Sequence, residues 1–278
     1  MCIRDSYQTV EQVRQALLAG ELRLYFQPKV NMRTGEVVGF EAMLRWQHPQ
    51  RGMLGAQEFL QQVEETDLIV EIGEWVMDQV MTRLQGWQQA GLGWPVSLNV
   101  AARHFQRPDF VERLKDMLDR YPDVLPALLD LEIVESVAID NIQRVSDCLD
   151  ACQGFGVQFS LGDFGTGHSS LSYLKRLRTQ TIKIDRLFVR DMLHDADDQA
   201  LIQALVGLAQ AFGRRVVAEG LESLAHGERL MALGCDVAQG DFIAPPMPAE
   251  AVLDWVRSFE PPRAWRSDEL QGEAMSGG

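Results

Sequence analysis

Polar side chains recur at one point of an otherwise apolar pattern, the end of a short apolar run. Glu41 closes one run, with Arg45 just after it, and Asn99 closes another. Glu132 follows with Glu135, then Asp163, Lys183 with Asp185, Glu219 with Glu222, and Gln239. Each has an ordinary explanation taken singly. A glutamate near a strand end faces water or caps the next helix, and a lysine lays its stem along apolar surface with its ammonium in water. Together, seven of eight runs carry an oxygen- or nitrogen-bearing group at the same end. Carboxylates crowded on one rim repel each other unless cations lie between them. A set rich in oxygen and free of cysteine and histidine suits hard ions such as Mg²⁺ or Mn²⁺. Such a site suits phosphate-ester chemistry, in which two ions hold the phosphate and activate a water. Lys183 would be the buried cation, orienting or deprotonating that water or neutralising charge on the phosphate. Arg45 could grip a phosphate or a guanine edge. The Gly-rich stretch DFGTGHSSL, which starts at Asp163, is either a simple turn with Ser169 or Ser170 capping the next helix, or a mobile loop that shapes the site.

These groups need a scaffold that aims them at one rim. A helical pattern covers 9–18, with Val10, Val13, Leu17 and Leu18 on one face, and Gly20 stops it. Leu22, Leu24 and Phe26 then alternate with Arg23, Tyr25 and Gln27, as in a strand. A turn over 31–35 leads to a second strand over 37–44. This link is too short for a parallel crossover, so the first two strands form an antiparallel hairpin. A long helical region is expected over 57–90, its stripe including Ile72, Val76, Val80, Leu84 and Trp87, with Gly91 as its cap. Strands follow at 96–100, 129–134, 157–163, 181–185, 215–219 and 237–242, separated by helices at 108–121, 140–153, 169–177, 198–212 and 224–233. Eight strands with helices between all but the first pair predict an α/β fold, a modified TIM-type (β/α)8 barrel with its first strand antiparallel. An open doubly wound sheet lacks its GxGxxG turn here. The polar strand ends then meet at the C-terminal rim, where barrel enzymes place their sites. The expected organisation is an unassigned segment at 1–8, one domain over 9–259 and a flexible tail over 260–278 that ends in Ser-Gly-Gly.

The net charge is −14 over 278 residues. That surface disfavours a nucleic-acid polymer or an anionic membrane as partner. A small phosphate ligand remains open, since bound divalent ions supply positive charge locally. Cys2, Cys148, Cys152 and Cys235 form no CxxC pair, which favours free thiols in a reducing compartment over a disulfide. His48, His104, His168, His194 and His226 make no HExxH set. No apolar run is long enough to span a membrane, and the first residues lack a signal peptide's apolar stretch.

The segments YFQPKV, EAMLRWQHP, SLNVAARHF, LEIVES, DFGTGHSSLSYLKRL, IKIDRLFV, VVAEGLES and LGCDVAQG occur in this order. With these segments in this order the chain resembles the EAL family, bacterial cyclic di-GMP phosphodiesterases and their non-hydrolysing relatives, over roughly residues 10–258. The resemblance implies a barrel with an antiparallel first strand. It also implies hydrolysis of cyclic di-GMP to linear pGpG with two Mg²⁺ or Mn²⁺ ions, Ca²⁺ commonly inhibiting. By that resemblance Glu41, Asn99, Glu132 and Asp163 hold metal, and Lys183 positions the attacking water. Glu219 supports metal and water, and Glu135 steadies the loop that begins at Asp163. Gln239 lies near the water, and Gln27 and Arg45 contact the ligand. A homodimer and sensor or GGDEF partner domains are the family's usual company, and the bacterial cytoplasm its usual place.

The departures from the family pattern bear on activity. Met43 replaces a leucine in the signature, a near-isosteric change. Arg178 and Asp241 replace a proline and an aromatic residue at positions expected to be peripheral. Gly162 stands where the family has the first Asp of DDFGTG, a metal contact, and glycine offers no ligand. Losing one anionic ligand would cost ~3–5 kcal/mol of transition-state stabilisation, about 10²- to 10⁴-fold in rate. Asp185, two residues after Lys183 and so on the same strand face, is placed to compensate in part. Three readings follow: a two-metal phosphodiesterase, a receptor that binds cyclic di-GMP without cleaving it, and a barrel that only assembles. The last would leave many buried polar groups unsatisfied.

Overall fold

The computed structural model describes residues 3–134, 137, 142–164 and 171–266, with the side chains of all but 3–8, 163 and 171–173. Helix α1 (Ile3–Leu18) leads into strands β1 (Leu22–Asn31), β2 (Glu36–His48) and the short β3 (Gly52–Gly55). Then come α2 (Leu68–Gln89), β4 (Val96–Asn99), α3 (Ala102–Phe105), α4 (Phe110–Arg120), β5 (Leu129–Val134) and α5 (Ile142–Gln153). Next are β6 (Gln158–Phe164), α6 (Leu171–Arg176), β7 (Thr181–Ile184), α7 (Arg186–Asp191), α8 (Ala196–Ala211) and β8 (Arg215–Ala218). The chain continues through α9 (Leu224–Ala232), β9 (Val237–Ala238), β10 (Met247–Pro248) and α10 (Ala249–Ser258).

Strands β2 and β4 through β9 run parallel in sequence around the barrel. Strand β1 closes the ring, antiparallel to β2 on one side and β9 on the other. This is the eight-stranded α/β barrel with an inverted first strand that the short β1–β2 link predicts. Strands β3 and β10 are additions outside the ring, a hairpin on β2 and a two-residue pairing with β1.

The period of two along each strand separates two environments. Leu98, Leu131, Ile133, Leu161, Ile182 and Ile184 are buried against the helical layer. Their neighbours Ser97, Asp130, Glu132, Ser160, Thr181 and Lys183 are equally buried but polar. Side-chain bonds between strands that are not adjacent, Lys29 to Ser97 and Lys183 to Glu41, run through the barrel interior. The interior is therefore a stack of polar groups, and the apolar core lies between strands and helices.

That core is anchored by Trp87 of α2, whose ring centroid lies 5.4 Å from those of Phe26 and Phe40. Gly20 and Gly91 end α1 and α2 with left-handed φ of 66° and 78°. Asp195 caps α8 and Ser223 caps α9 through bonds to backbone N–H groups.

Several expected boundaries shift. The region 57–90 is not one helix: two 3₁₀ turns, Ala56–Glu58 and Leu60–Gln62, precede α2. The first helix begins at Ile3 rather than at residue 9. The last barrel strand is Val237–Ala238 alone, and α7 and α10 are additional. The chain from 260 to 266 is not a loose tail. Arg263–Arg266 forms a 3₁₀ turn that buries Trp265 against Phe242, centroids 6.0 Å apart. Cys148, Cys152 and Cys235 are free thiols.

Candidate active site

Lys183, in β7, is fully buried at the centre of the upper barrel. Its Nζ donates to Glu41 Oε2 at 2.7 Å and to Glu132 Oε2 at 2.5 Å, and pairs with Glu219 Oε1. The three carboxylates come from β2, β5 and the residue after β8. The Glu219 N–H donates to Ile184 O at 3.0 Å, which extends the parallel pairing and fixes its place beside Lys183. Glu41 also accepts from Asn99 Nδ2 at 3.0 Å and Gln239 Nε2 at 2.6 Å. Gln239 Nε2 reaches Gln27 Oε1 at 3.4 Å, and Gln27 Nε2 donates to Asp241 Oδ1 at 3.2 Å and Ala244 O at 3.1 Å. Seven expected site residues are thus one connected network: Gln27, Glu41, Asn99, Glu132, Lys183, Glu219 and Gln239.

The electrostatics divide the acids. Burial opposes ionisation of Glu41, but the ammonium groups of Lys183 and Lys29, with hydrogen bonds from Lys183 and Gln239, hold it down at about 2. For Glu132 burial prevails, reinforced by Glu41 and Glu219 against the pull of Lys183, and its carboxyl rises to about 8. Burial also raises Glu219, again against Lys183, with Glu41 adding repulsion. Burial works against the Lys183 ammonium, yet Glu132, Glu219 and Glu41 lift it well above the ordinary lysine value.

Glu41, Glu132 and Glu219 each offer an oxygen, all within 4.8 Å of one another. Three carboxyl groups crowd one ammonium, and their mutual repulsion is part of what raises Glu132 and Glu219, so a bound cation would favour their ionised forms. Gln239 Oε1, buried in the same network, has no hydrogen-bond partner among the described residues. An all-oxygen donor set of three crowded carboxyl groups with an orphaned acceptor beside it fits a hard divalent cation.

Other expectations fare differently. Arg45 stands apart from the network, its guanidinium donating to Leu44 O at 3.0 Å and lying 3.7 Å from Met43 Sδ. Asp185 does not support the metal site. It lies past the end of β7 as the N-cap of α7, its Oδ1 accepting from Leu187 N–H at 2.7 Å, because the chain leaves the strand at that residue. Asp241 is not peripheral, since its carboxylate holds the Gln27 amide. Glu135, the Asp163 side chain and the loop at 165–170 lie outside what is described.

The Gly162 backbone is described and informative. The pairing of β6 with β7 shifts register between Leu161 and Phe164, so Gly162 falls where the ladder is irregular. A Cβ added to Gly162 would collide with Glu132 Oε1 and lie 3.2 Å from its Cγ and Cδ. Position 162 therefore faces the carboxylate cluster, and Glu132 leans into the room that glycine leaves.

Sequence reasoning missed a second polar layer beneath the cluster, formed by Lys29, Ser97, Asp130 and Ser160. Its signal was the alternation of these residues with apolar neighbours in the first halves of β4, β5 and β6, which resembles the exposed face of an ordinary strand.

The model of the EAL domain matches residues 10–246. The chain belongs to the EAL domain family. This EAL domain is 40% identical over 251 residues, 90% of the chain and 36% of the relative, to the bifunctional diguanylate cyclase/cyclic di-GMP phosphodiesterase MucR of Pseudomonas aeruginosa. It is 36% identical over 248 residues, 89% of the chain and 37% of the relative, to the cyclic di-GMP phosphodiesterase PdeR of Escherichia coli. The chain thus spans little more than a third of these relatives' length. Its fold matches the PaMucR phosphodiesterase in its c-di-GMP complex with a TM-score of 0.85, at 40% identity, covering 88% of this chain and 99% of that one.

Proposed function

We propose that this EAL domain binds cyclic di-GMP at the C-terminal mouth of its barrel and hydrolyses one phosphodiester, giving linear pGpG. The Lys183-centred carboxylate network carries the reading, set in a chain whose matched relatives bear phosphodiesterase names. In the reaction a water oxygen bonds to phosphorus, the P–O3′ bond breaks, and the 3′ oxygen leaves with a proton. Mg²⁺ or Mn²⁺ held by Glu41, Glu132 and Glu219, with Asn99 and Asp163 adjoining, would supply Lewis-acid activation and charge neutralisation.

The protein's own groups do the rest. Lys183, protonated through the neutral range, places a fixed positive charge against the developing charge on the phosphate. Glu219 is the most accessible of the three acids, with 19% of its side chain exposed, so it can accept a hydrogen bond from an incoming water at the mouth. Gln239, held on Glu41, orients that water. Gln27, anchored by Asp241, and Arg45, whose guanidinium has no acidic partner among the described residues, receive the ligand. Glu135 steadies the adjoining loop. Sensor or GGDEF domains and a second copy are the expected partners, and the bacterial cytoplasm, where this messenger is made and read, the expected place. No helix among the described residues is long and apolar enough to cross a membrane.

The contact between Gly162 and Glu132 favours a second reading, a receptor that binds cyclic di-GMP without cleaving it. One experiment separates the two. The purified chain is incubated with cyclic di-GMP and Mn²⁺, and pGpG is followed by chromatography beside Glu41→Ala and Gly162→Asp. Turnover that Glu41→Ala abolishes supports the enzyme. A silent wild type with an active Gly162→Asp supports the receptor. Silence in both, with no cyclic di-GMP binding by calorimetry, removes both readings.

A further inference from the structure

The opposite end of the barrel, where the parallel strands begin, holds an open cavity of about 640 Å³. That volume lies within the range of small-molecule sites. Lys29, Ser97, Asp130, Thr181, Arg214 and Arg215 are among its lining residues, and none of Glu41, Glu132, Lys183 and Glu219 is.

Two of the lining groups are buried with hydrogen-bonding capacity to spare. Lys29 is 8% exposed, and its ammonium, with three donors, makes one side-chain hydrogen bond among the described residues, to Ser97 Oγ at 2.6 Å. Asp130 is also 8% exposed. Its Oδ2 accepts from Ser160 Oγ at 2.6 Å, while its Oδ1 is buried without a partner among the described residues. The two residues attract each other but form no ion pair, so the cavity wall carries spare donors beside a carboxyl group with one oxygen unpartnered among the described residues. Buried groups of this kind cost stability until something satisfies them.

The charges around the cavity indicate what that is. Arg214 adds a cation fixed by Thr179 Oγ1 at 3.0 Å and by the carbonyls of Leu174 and Leu177, and Arg215 stands exposed at the rim. Asp236 is turned to Arg33 at 2.8 Å, so Asp130 is the lining acid without an ion pair among the described residues, with Lys29 a neighbouring cation. Burial and repulsion from Lys183 hold the Lys29 ammonium below the ordinary lysine value, against the attraction of Asp130, Glu41 and Glu132, and an anion on its spare donors would add to that attraction. We propose that this cavity is a second ligand site for a small phosphomonoester carrying hydroxyl groups, its phosphate on Lys29 and Arg215 and a hydroxyl on the Asp130 carboxylate.

Calorimetry on the full chain in EDTA, with ribose 5-phosphate and separately with inorganic phosphate, tests this. Ribose 5-phosphate is expected to bind at one site. Arg215→Ala and Lys29→Met should each weaken it about tenfold or more, as loss of a charge-assisted hydrogen bond does. Arg45→Ala, at the opposite mouth, should leave it unchanged. Arg215 is exposed, so that variant keeps the test decisive if Lys29→Met does not fold. No heat, or binding insensitive to Arg215→Ala and Lys29→Met, overturns the proposal and leaves water as the occupant. Inorganic phosphate binding as tightly as ribose 5-phosphate overturns the assignment of a hydroxyl to Asp130.

Discussion

The carboxylate of Glu132 stands in the space that a side chain at Gly162 would enter. Gly162 is not among the glycines with left-handed backbone, so an L-residue is compatible with its conformation and only the contact resists it. Gly162→Ala is expected to destabilise the protein by about 1–3 kcal/mol, the usual cost of overpacking. The cost should largely vanish in a Glu132→Ala background. Urea unfolding of the two single variants and the double variant measures the coupling. Strict additivity would mean that Glu132 moves aside freely.

Lys183 is the ammonium that pairs with all three acids, and breaking a buried pair costs more than the pair contributes. Lys183→Met should lower stability by about 3–5 kcal/mol in EDTA. Mn²⁺ should then raise the melting temperature of the variant more than that of the wild type, because a divalent ion takes over part of the lost charge. Equal shifts in the two proteins would show that the ion does not bind among Glu41, Glu132 and Glu219.

Asp241 anchors the Gln27 amide at 3.2 Å, with Ala244 O as the second acceptor. Asp241→Ala should weaken cyclic di-GMP binding about fivefold, the worth of about one hydrogen bond, and leave folding stability nearly unchanged. Titration calorimetry reads the affinity and thermal unfolding the stability. An unchanged affinity would remove Gln27 from the ligand contacts.

Trp265 packs against α9, 3% exposed, its ring against Phe242 and against Gly227, where an added Cβ would lie 2.8 Å from Nε1. Trp265→Ala should cost about 3–5 kcal/mol, as large aromatic truncations in cores do. A loss under 1 kcal/mol by urea unfolding would return this segment to the status of a loose tail.

The inverted first strand was legible because the β1–β2 link is too short for a crossover, a constraint that tertiary contacts cannot override. The polar network of the candidate site was legible because Glu41, Asn99, Glu132, Lys183, Glu219 and Gln239 interrupt apolar runs at equivalent points. Asp185 misled because a period of two holds only while the strand lasts, and β7 ends at Ile184. The role of Asp241 depends on Gln27, 214 residues away in sequence, and no local pattern carries that. Trp265 hid in a segment whose composition resembles a tail, since a single aromatic docking on a core has no periodicity. Lys29 and Asp130 gave no signal of burial, because a polar barrel interior shows the same alternation as an exposed face.

His104 of α3 offers a test away from either mouth of the barrel. It is 2% exposed, lies edge-on to Phe110 at 5.2 Å, and abuts Gly73, with Nδ1 lacking a partner among the described residues. Burial is the main cause that lowers its pKa to about 4, with Arg107 and Arg113 adding to it against Glu74 and Asp109. The unfolded chain binds this proton near pH 6.5 and the folded chain only near 4, so the unfolded state holds more protons between them. The contribution of the neutral ring is therefore fully present above pH 6.5 and is lost as pH falls toward 4. The total loss is about 3 kcal/mol, from the pKa difference at about 1.4 kcal/mol per unit. Urea unfolding of wild type and His104→Leu across this window should show the stability difference moving by about that amount in favour of the variant at low pH. A difference that stays flat from pH 7 to pH 4 would mean that the ring is protonated in the folded protein as readily as in the unfolded chain.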